Sequence, residues 1–211
     1  MEKIKLAIIY YSSTGTNFQL SKWAEEAAIE ADADIKRLKF PETAPQEAID
    51  ANDAWKKFSE SSENQNEAEV TLDDLEWADA IIFSIPTRYG NLPSQVQAFF
   101  DTTGGLWFEG KLANKIVSGM TSAMNPHGGQ ESTLQSLYKT MIHWGCIIVP
   151  PAYTFEDSFK AGGNPYGTST TSTMEGQVKD DVENAVKMQA KRTVEMTKRF
   201  LGVSEMVETN P

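Results

Sequence analysis

The sequence predicts a doubly wound α/β protein built on a five-stranded parallel sheet. Nearly continuous apolar runs at residues 5–11, 78–85 and 146–149 are typical of strands that helices cover on both faces. Helical patterns follow at 16–31 and 130–144. The alternation of these two patterns along one chain favours βαβ units, whose strands lie parallel in a single sheet.

The first strand leads directly into the first helix. Residues 5–11 end in a turn rich in serine and threonine, and helical spacing begins at Thr16. Further along the chain, Pro86 ends a strand, and Pro93 stands where a helix commonly starts. The elements predicted after the first helix are a strand at 34–38, a strand at 78–85, a helix at 94–101, a strand at 115–120, a helix at 130–144, a strand at 146–149 and a helix at 180–201.

Two segments interrupt this alternation. Residues 41–70 are polar and acidic, and we interpret them as a surface insertion with a short helix near 48–58. Residues 152–173 are rich in glycine, proline and threonine and are expected to form a long loop. The last ten residues are expected to fray. Residues 1–211 are predicted to form one domain, because 40% hydrophobic content over this length suffices for one sizeable core.

Composition narrows the possible functions. With 19 basic and 30 acidic residues, the formal charge of −11 works against binding to nucleic acid or anionic membrane surfaces. The sequence shows neither a signal-peptide pattern nor an apolar run of about 18 residues, so we expect no contact with the membrane interior. The single cysteine, Cys146, lies in an apolar run and is expected to be an inert buried thiol. We therefore expect a cytoplasmic protein, and two separated histidines and one cysteine predict no metal site.

The turn Ser12-Ser13-Thr14-Gly15-Thr16-Asn17 is the first candidate site. It places four hydroxyls, one amide and a row of backbone N–H groups at the start of a helix, where anions bind favourably. No Lys or Arg lies between Ser12 and Ser21, and the turn lacks the glycine and lysine patterns of triphosphate and dinucleotide loops. The turn therefore favours a phosphate monoester held by neutral donors. A helix cap with extra turn residues is the alternative.

Two further loops follow strands at the same edge of the predicted sheet. Residues 85–93 carry two prolines and one glycine, which fix an irregular backbone suited to a flat heterocycle. Residues 118–130 are rich in small side chains, which let the backbone approach a planar ligand. Each loop alone fits an ordinary turn. Ligands of open α/β sheets bind beyond the carboxyl ends of the strands, so the three loops together predict a binding site.

These motifs resemble those of flavodoxin-like FMN proteins and, more narrowly, of the WrbA-type NAD(P)H:quinone oxidoreductases. The matching segments, in chain order, are YYSSTGTN, IFSIPTRYGNLPSQVQAFFDTTGGLW, GGQESTLQSL, HWGCIIVPPAY and GGNPYG. The resemblance implies a flavodoxin-like three-layer sandwich with strand order 2-1-3-4-5. It also implies non-covalent FMN, a homotetramer, and two-electron, ping-pong reduction of quinones by NADH or NADPH.

The resemblance assigns roles to individual residues. Arg88 would stabilise negative charge near N1 and O2 of the reduced flavin, and backbone N–H groups near Gly90 and Asn91 would address N5 and O4. A solvated surface arginine is the alternative for Arg88. No side chain is expected to be catalytic in its own right, because the flavin carries the hydride chemistry. The phosphate would be held by Ser12, Thr14, Gly15, Thr16 and Asn17, the ring would lie along Pro86, Thr87, Arg88, Tyr89, Gly90 and Asn91, and the ribityl chain and ring edge would be closed by Thr121, Ser122, Ala123, Asn125 and Gly128.

Three residues are candidates for the substrate pocket. Trp107 matches the family tryptophan that lines the nicotinamide and quinone pocket, where a neighbouring subunit completes the site; core or interface packing is the alternative. The family motif is often His-His-Gly, but this chain has His143-Trp144-Gly145. Either Trp144 stacks at the pocket, or His143 is a helix C-terminal histidine favourable to the helix dipole. His127 is a further candidate for ligand contact.

The main rival to an enzyme is a non-enzymatic flavodoxin-type electron-transfer protein, which would share the fold, FMN and the acidic surface. The GGLW segment and the long loop at 152–173 are parts that a short carrier does not need, and they favour the enzyme. A regulatory protein that uses the acidic insertion has no support beyond that charged segment. The sequence does not distinguish NADH from NADPH or identify the quinone.

Overall fold

A computed structural model describes residues 3–202. Its parallel sheet has the order β2-β1-β3-β4-β5, which confirms the predicted fold class. A sixth short strand, β6, also pairs with β4 in parallel. The elements are β1 (Lys5–Tyr10), α1 (Thr16–Glu30), β2 (Asp34–Lys39), α2 (Gln46–Asp50), α3 (Asp53–Ser59), α4 (Ser62–Gln65), α5 (Leu72–Trp77), β3 (Ala80–Pro86), α6 (Ser94–Asp101), α7 (Gly104–Phe108), β4 (Ile116–Ala123), α8 (Gln130–Trp144), β5 (Ile147–Ile148), α9 (Glu156–Lys160), β6 (Ser169–Thr171) and α10 (Glu183–Phe200).

Both faces of the sheet are buried, which explains the uninterrupted apolar strands. Leu6 and Ile8 of β1 belong to the core beneath α1 and α10. Ala7 and Ile9 belong to the core beneath α5, α6 and α8. Full burial of an aliphatic side chain of the size of leucine contributes about 1.5–3 kcal/mol, so the two cores fix the strands in register. The carboxyl ends of β1, β3 and β4 therefore meet at one edge.

The polar insertion holds more structure than predicted. In place of one helix near 48–58, residues 46–65 form α2, α3 and α4. The side chain of Asn52 accepts a hydrogen bond from Trp55 N and caps a new helix, which separates α3 from α2. The short helix α5 was not predicted, although Thr71 and Asp74 form a capping box at its start.

The region after β4 also differs from the prediction. The strand expected at 146–149 is reduced to Ile147–Ile148, because Pro150 and Pro151 follow closely and cannot donate ladder hydrogen bonds. The loop expected at 152–173 contains α9 and β6, which are too short to show periodicity. The prediction that the last ten residues fray falls on residues 202–211, of which 203–211 lie outside the described residues.

Cys146 is half-buried rather than fully buried, and its Sγ donates to Leu112 O at 3.4 Å. Burial raises the pKa of the Cys146 thiol to about 12, against a smaller opposing effect of Lys115. A protonated thiol is a poor nucleophile and a poor metal ligand, which fits the interpretation of Cys146 as unreactive.

The hydroxyl of Tyr138 joins three separate elements. Tyr138 lies on α8, is buried, and accepts a hydrogen bond from Gly119 N on β4 at 3.1 Å. Its own proton is donated to Tyr166 O at 2.5 Å. Because Tyr166 lies just before β6, this hydroxyl fixes the segment that leads to the edge of the sheet.

We predict that Tyr138→Phe lowers the free energy of unfolding by about 1–3 kcal/mol, because it leaves the buried N–H of Gly119 and the partly buried carbonyl of Tyr166 unpaired. Urea denaturation followed by circular dichroism measures this change. Tyr153→Phe is the matched control, since Tyr153 is 55% exposed, and should change stability little. Equal effects of the two substitutions would contradict the role given to Tyr138.

Candidate functional site

A cavity of about 490 Å³ opens at the carboxyl ends of β1, β3 and β4. Its volume lies within the range of about 300–1,000 Å³ that is typical of ligand pockets. The structure brings all three predicted loops together around it. The predicted cofactor residues that line the cavity are Ser12, Thr14, Thr16, Asn17, Pro86, Thr87, Arg88, Tyr89, Ser122, Ala123, Asn125 and Gly128.

Four predicted cofactor residues do not line the cavity: Gly15, Gly90, Asn91 and Thr121. The first three shape the loops that surround it. Thr121 is fully buried on β4, and its hydroxyl has no hydrogen-bond partner among the described residues. His127 lies in the third loop, is exposed, and is not part of the cavity wall.

Residues 12–17, which we call the phosphate loop, hold the N-terminus of α1 open. Gly15 has a φ of +105°, a left-handed conformation that favours glycine, and no side chain caps the helix that follows. The hydroxyl of Ser12 accepts a hydrogen bond from Gly15 N at 2.9 Å and closes the turn. The N–H groups of the first turn of α1 therefore need an acceptor from outside the helix.

Two side chains assigned to the phosphate are engaged elsewhere. The Thr16 hydroxyl donates to Gly176 O at 2.8 Å, so it has no proton left for a phosphate oxygen. The Asn17 amide donates to Ser84 Oγ at 3.2 Å, and its oxygen accepts from Ser122 Oγ at 2.5 Å. In this structure, the Thr16 side chain joins the phosphate loop to Gly176, and the Asn17 side chain holds it against β3 and β4. Backbone N–H groups are therefore the main donors that these two residues offer to an anion.

The second loop closes in a tight turn. Arg88 and Asn91 exchange two backbone hydrogen bonds of 2.9 and 3.0 Å, and Tyr89 and Gly90 between them have φ values of +53° and +77°. The Gly90 N–H donates to Thr87 Oγ1 at 3.0 Å. Both backbone N–H groups that were expected to address the flavin, those of Gly90 and Asn91, are therefore engaged within the loop.

The second and third loops are interlocked. A Cβ on Gly129 would lie 2.6 Å from the Gly90 Cα, so only glycine allows the two backbones to approach this closely. The Thr133 hydroxyl at the start of α8 donates either to Thr87 Oγ1 at 2.7 Å or to Gly129 O at 2.9 Å. This contact fixes the distance between the two loops and hence the width of the cavity.

Arg88 crosses the mouth of the cavity. Its guanidinium donates to Ser13 Oγ at 2.5 Å and to Thr87 O at 3.0 Å, which joins the second loop to the phosphate loop. Among the described residues that line the cavity, Arg88 is the only charged one. An anionic ligand there would be held by neutral donors, the dipole of α1 and this single cation.

The three predicted substrate residues lie at the other end of α8. This helix starts beside Gly90 and ends at Gly145, whose carbonyl accepts from Asn114 N at the opposite edge of the sheet. Its 15 residues span about 22 Å. Trp107 Nε1 donates to His143 O at 2.8 Å, and both side chains are exposed. Within one chain, neither residue lines the cavity.

The suggestion that Trp144 stacks at the pocket does not fit this chain. Trp144 is 6% exposed, and its ring packs edge-on against Phe100 at 5.1 Å between ring centroids. It points into the core between α6 and α8 because the last turn of α8 turns this face towards the sheet. The remaining interpretation, a histidine near the helix C-terminus, fits His143, which lies in the last turn of α8.

Two parts of the wall were not predicted. Asn52 and Trp55 come from the insertion, and Ser172, Thr173 and Met174 come from the segment after β6. The aromatic pair Trp55 and Phe58, spaced three residues apart in a charged stretch, is the sequence signal of a packed helix face. Phe58 indeed lies 3.3 Å from the position of a Cβ on Gly15.

The order of the sheet and the cavity beyond its carboxyl edge define a flavodoxin-like protein with a nucleotide-binding site. The family model described as NADPH-dependent FMN reductase matches residues 4–160, and the chain belongs to this family. The predicted resemblance to the WrbA-type quinone oxidoreductases is thereby confirmed.

Known relatives and structures agree with this assignment. A Deinococcus radiodurans protein named NAD(P)H dehydrogenase (quinone) is 52% identical over 199 residues, which cover 94% of this chain and 98% of the relative. A Brucella abortus protein of the same name is 35% identical over 205 residues, covering 94% and 100%. The structure of a WrbA-like flavodoxin from Agrobacterium tumefaciens superposes with a TM-score of 0.64 at 20% identity, covering 94% and 99%.

Metal sites and membrane-spanning helices were sought in the part of the chain that the structure describes. Residues 3–202 contain no group of three or more His, Cys, Asp or Glu side chains placed to hold a metal ion. Over the same residues, every helix is too short or too polar to cross a membrane.

We predict that Asn17→Ala lowers the free energy of unfolding by about 1–3 kcal/mol, because the buried hydroxyl of Ser122 loses its acceptor and that of Ser84 loses a donor. FMN affinity should fall as well, since the phosphate loop is released from β3 and β4. Chemical denaturation and flavin fluorescence titration measure the two effects. Asn66→Ala, at the exposed end of α4, is the control; if it matches Asn17→Ala, the proposed anchoring is wrong.

Proposed function

We propose that this protein is an FMN-dependent oxidoreductase that reduces quinones by two electrons, with NADH or NADPH as the electron donor. The observation that carries the proposal is the uncapped N-terminus of α1, which faces a cavity bounded by two interlocked loops, in a chain of this family. The names of the relatives favour an enzyme over an electron carrier.

The residues of the cavity fit FMN. A phosphate monoester supplies the acceptor that the first turn of α1 lacks, and a hydrogen bond to a charged group is worth about 1.5–3 kcal/mol. Thr87 and Gly128 both line the cavity, whose volume of about 490 Å³ leaves room for a planar ring beside the second and third loops. The chemistry that FMN supplies when bound is hydride transfer from a nicotinamide to a quinone.

Arg88 is the residue that we assign to electrostatic stabilisation. It is the charged group of the cavity wall, and Ser13 and Thr87 hold its guanidinium in place. A fixed cation stabilises negative charge that develops on a bound ring without needing to reorganise first.

We further propose that the pocket is completed by a second copy of the chain in a homotetramer. Trp107 and His143 lie too far from their own cavity to line it. Two neighbouring side chains are apolar and exposed, Phe108 at 85% and Ile142 at 63%, as expected of a surface that another subunit covers. We also propose a cytoplasmic location, since the chain has a single, unreactive cysteine.

Purified protein reconstituted with FMN tests the proposal. The expected result is a flavin absorption spectrum and rapid oxidation of NADH or NADPH that depends on benzoquinone. A flavin spectrum without turnover would instead support an electron carrier. Protein that remains colourless after incubation with FMN and gel filtration would refute FMN binding altogether.

We predict that Arg88→Met slows quinone reduction at least tenfold and makes the reduction potential of bound FMN more negative by about 30 mV or more, which corresponds to tenfold in the equilibrium. The reason is the loss of the cation next to the reduced ring. Redox titration with reference dyes measures the shift. Arg199→Met, on the exposed last turn of α10, should leave the potential unchanged. An unchanged potential in Arg88→Met would remove the assignment.

We predict that Trp107→Ala raises the quinone KM several-fold with little change in FMN retention. Trp107 contacts the C-terminal end of α8, a helix about 22 Å long, and does not line its own cavity, so an effect on KM requires a second subunit. Steady-state kinetics and light-scattering mass determination provide the two readouts. Phe159→Ala removes another exposed aromatic side chain and should leave KM unchanged. A fully active monomer, or a KM that Trp107→Ala does not alter, would contradict the shared pocket.

A further inference from the structure

We propose that residues 171–180, which we call the latch hairpin, set the position of the phosphate loop, and that Gly176 and Asp180 are positioning residues for the phosphate of FMN. This inference rests on the proposed binding of FMN. The sequence predicted a loop at 152–173 and a helix from 180, and it assigned no role to the residues between them.

The latch hairpin is an ordered turn. Ser172 and Val178 form an antiparallel bridge, and Thr173 N donates to Gln177 O at 2.9 Å. Gly176 N donates back to Thr173 O at 3.2 Å, and Gly176 itself has a φ of +83°. The tip of the hairpin therefore requires glycine for its conformation.

The base of the hairpin is anchored at the edge of the sheet. One oxygen of Asp180 accepts hydrogen bonds from Thr171 N at 2.5 Å, Thr171 Oγ1 at 2.7 Å and Thr170 Oγ1 at 3.1 Å. Desolvation opposes ionisation, but these hydrogen bonds outweigh it and lower the pKa of Asp180. Ser172 N donates to Ala123 O at 2.8 Å, which joins the hairpin to the end of β4.

The tip of the hairpin lies directly against the phosphate loop. A Cβ on Gly176 would lie 1.8 Å from Thr14 O and 2.5 Å from the Thr14 carbonyl carbon, which are backbone atoms and cannot rotate away. The Thr16 hydroxyl donates to Gly176 O at 2.8 Å in a buried contact. The hairpin thus contacts the residues on both sides of Gly15, the glycine that opens α1.

The position of the phosphate-binding amides therefore depends on a segment 160 residues away in the chain. Hydrogen bonds to an anion weaken steeply when the donors move out of line. The same hairpin places Ser172, Thr173 and Met174 in the cavity wall. Displacement of the hairpin should therefore weaken binding of the phosphate more than binding of the flavin ring, because the ring is expected to contact the second and third loops.

Comparison of FMN with riboflavin separates these two effects, because riboflavin lacks the phosphate. Apoprotein is titrated with each flavin, and the dissociation constants are obtained from the quenching of flavin fluorescence. We expect Gly176→Ala to weaken FMN at least tenfold and riboflavin less than twofold. Gly110→Ala is the matched control, because Gly110 has a φ of +70° and nothing lies within 4 Å of its Cβ position. This substitution introduces the backbone strain without the clash and should change neither dissociation constant.

Asp180→Asn provides a second, milder test that applies even if Gly176→Ala fails to fold. Asp180 is exposed and is not part of the cavity wall, so it can influence FMN only through the hairpin. We expect FMN to bind at least threefold more weakly and riboflavin unchanged, whereas Asp181→Asn, next to it and also exposed, should match the wild type.

The outcomes separate this inference from the proposed function. Wild-type apoprotein that binds neither flavin would refute the proposed function. Two results in a protein whose wild type binds FMN would overturn the latch alone. One is an equal loss of affinity for FMN and riboflavin in Gly176→Ala; the other is an Asp180→Asn variant that binds FMN as Asp181→Asn does. Equal affinities of the wild type for FMN and riboflavin would also overturn it, since the phosphate would then contribute nothing.

Discussion

The structure of the site depends on one local arrangement: a helix that begins without a side-chain cap. Gly15 turns the chain into α1 in a left-handed conformation and leaves the first N–H groups of the helix without an acceptor. A serine, threonine or aspartate side chain at the N-cap can satisfy one of these groups. Here the nearby hydroxyls of Ser12 and Thr16 are directed elsewhere, one to Gly15 N and the other to Gly176 O. The need for an acceptor is thus transferred to a ligand.

Electrostatics explain why this arrangement must be rigid. The chain carries a formal charge of −11, and Arg88 is the one charged residue among the described residues of the cavity wall. A phosphate bound there, as we propose, would gain little from the protein's overall charge and would rely on aligned backbone dipoles, whose effect fades within the first helical turn. Buried hydrogen bonds from Asn17 to the ends of β3 and β4 supply the necessary alignment. The close contact between Gly90 and Gly129 fixes the second and third loops, which would lie along the ring.

Sequence patterns predicted the layered fold and the location of the site, because these follow from local periodicity and from the geometry of parallel sheets. The helices Ser94–Asp101 and Gln130–Trp144 were placed with their observed bounds. The patterns failed where a residue's role depends on a distant partner. Nothing near Thr16 indicates that its hydroxyl is used by Gly176, and nothing near Trp144 distinguishes a pocket wall from a core position against Phe100. The acidic composition of the insertion likewise concealed Trp55, which lines the cavity.

We infer that backbone N–H groups at the start of α1 bind the phosphate of FMN. Nitrogen–proton correlation NMR of isotope-labelled apoprotein, titrated with FMN and separately with riboflavin, tests it most directly. We expect large downfield shifts of amide protons in residues 13–18 with FMN and small ones with riboflavin, while residues of the second and third loops respond to both. Identical responses of residues 13–18 to the two flavins, or no response to FMN, would contradict it.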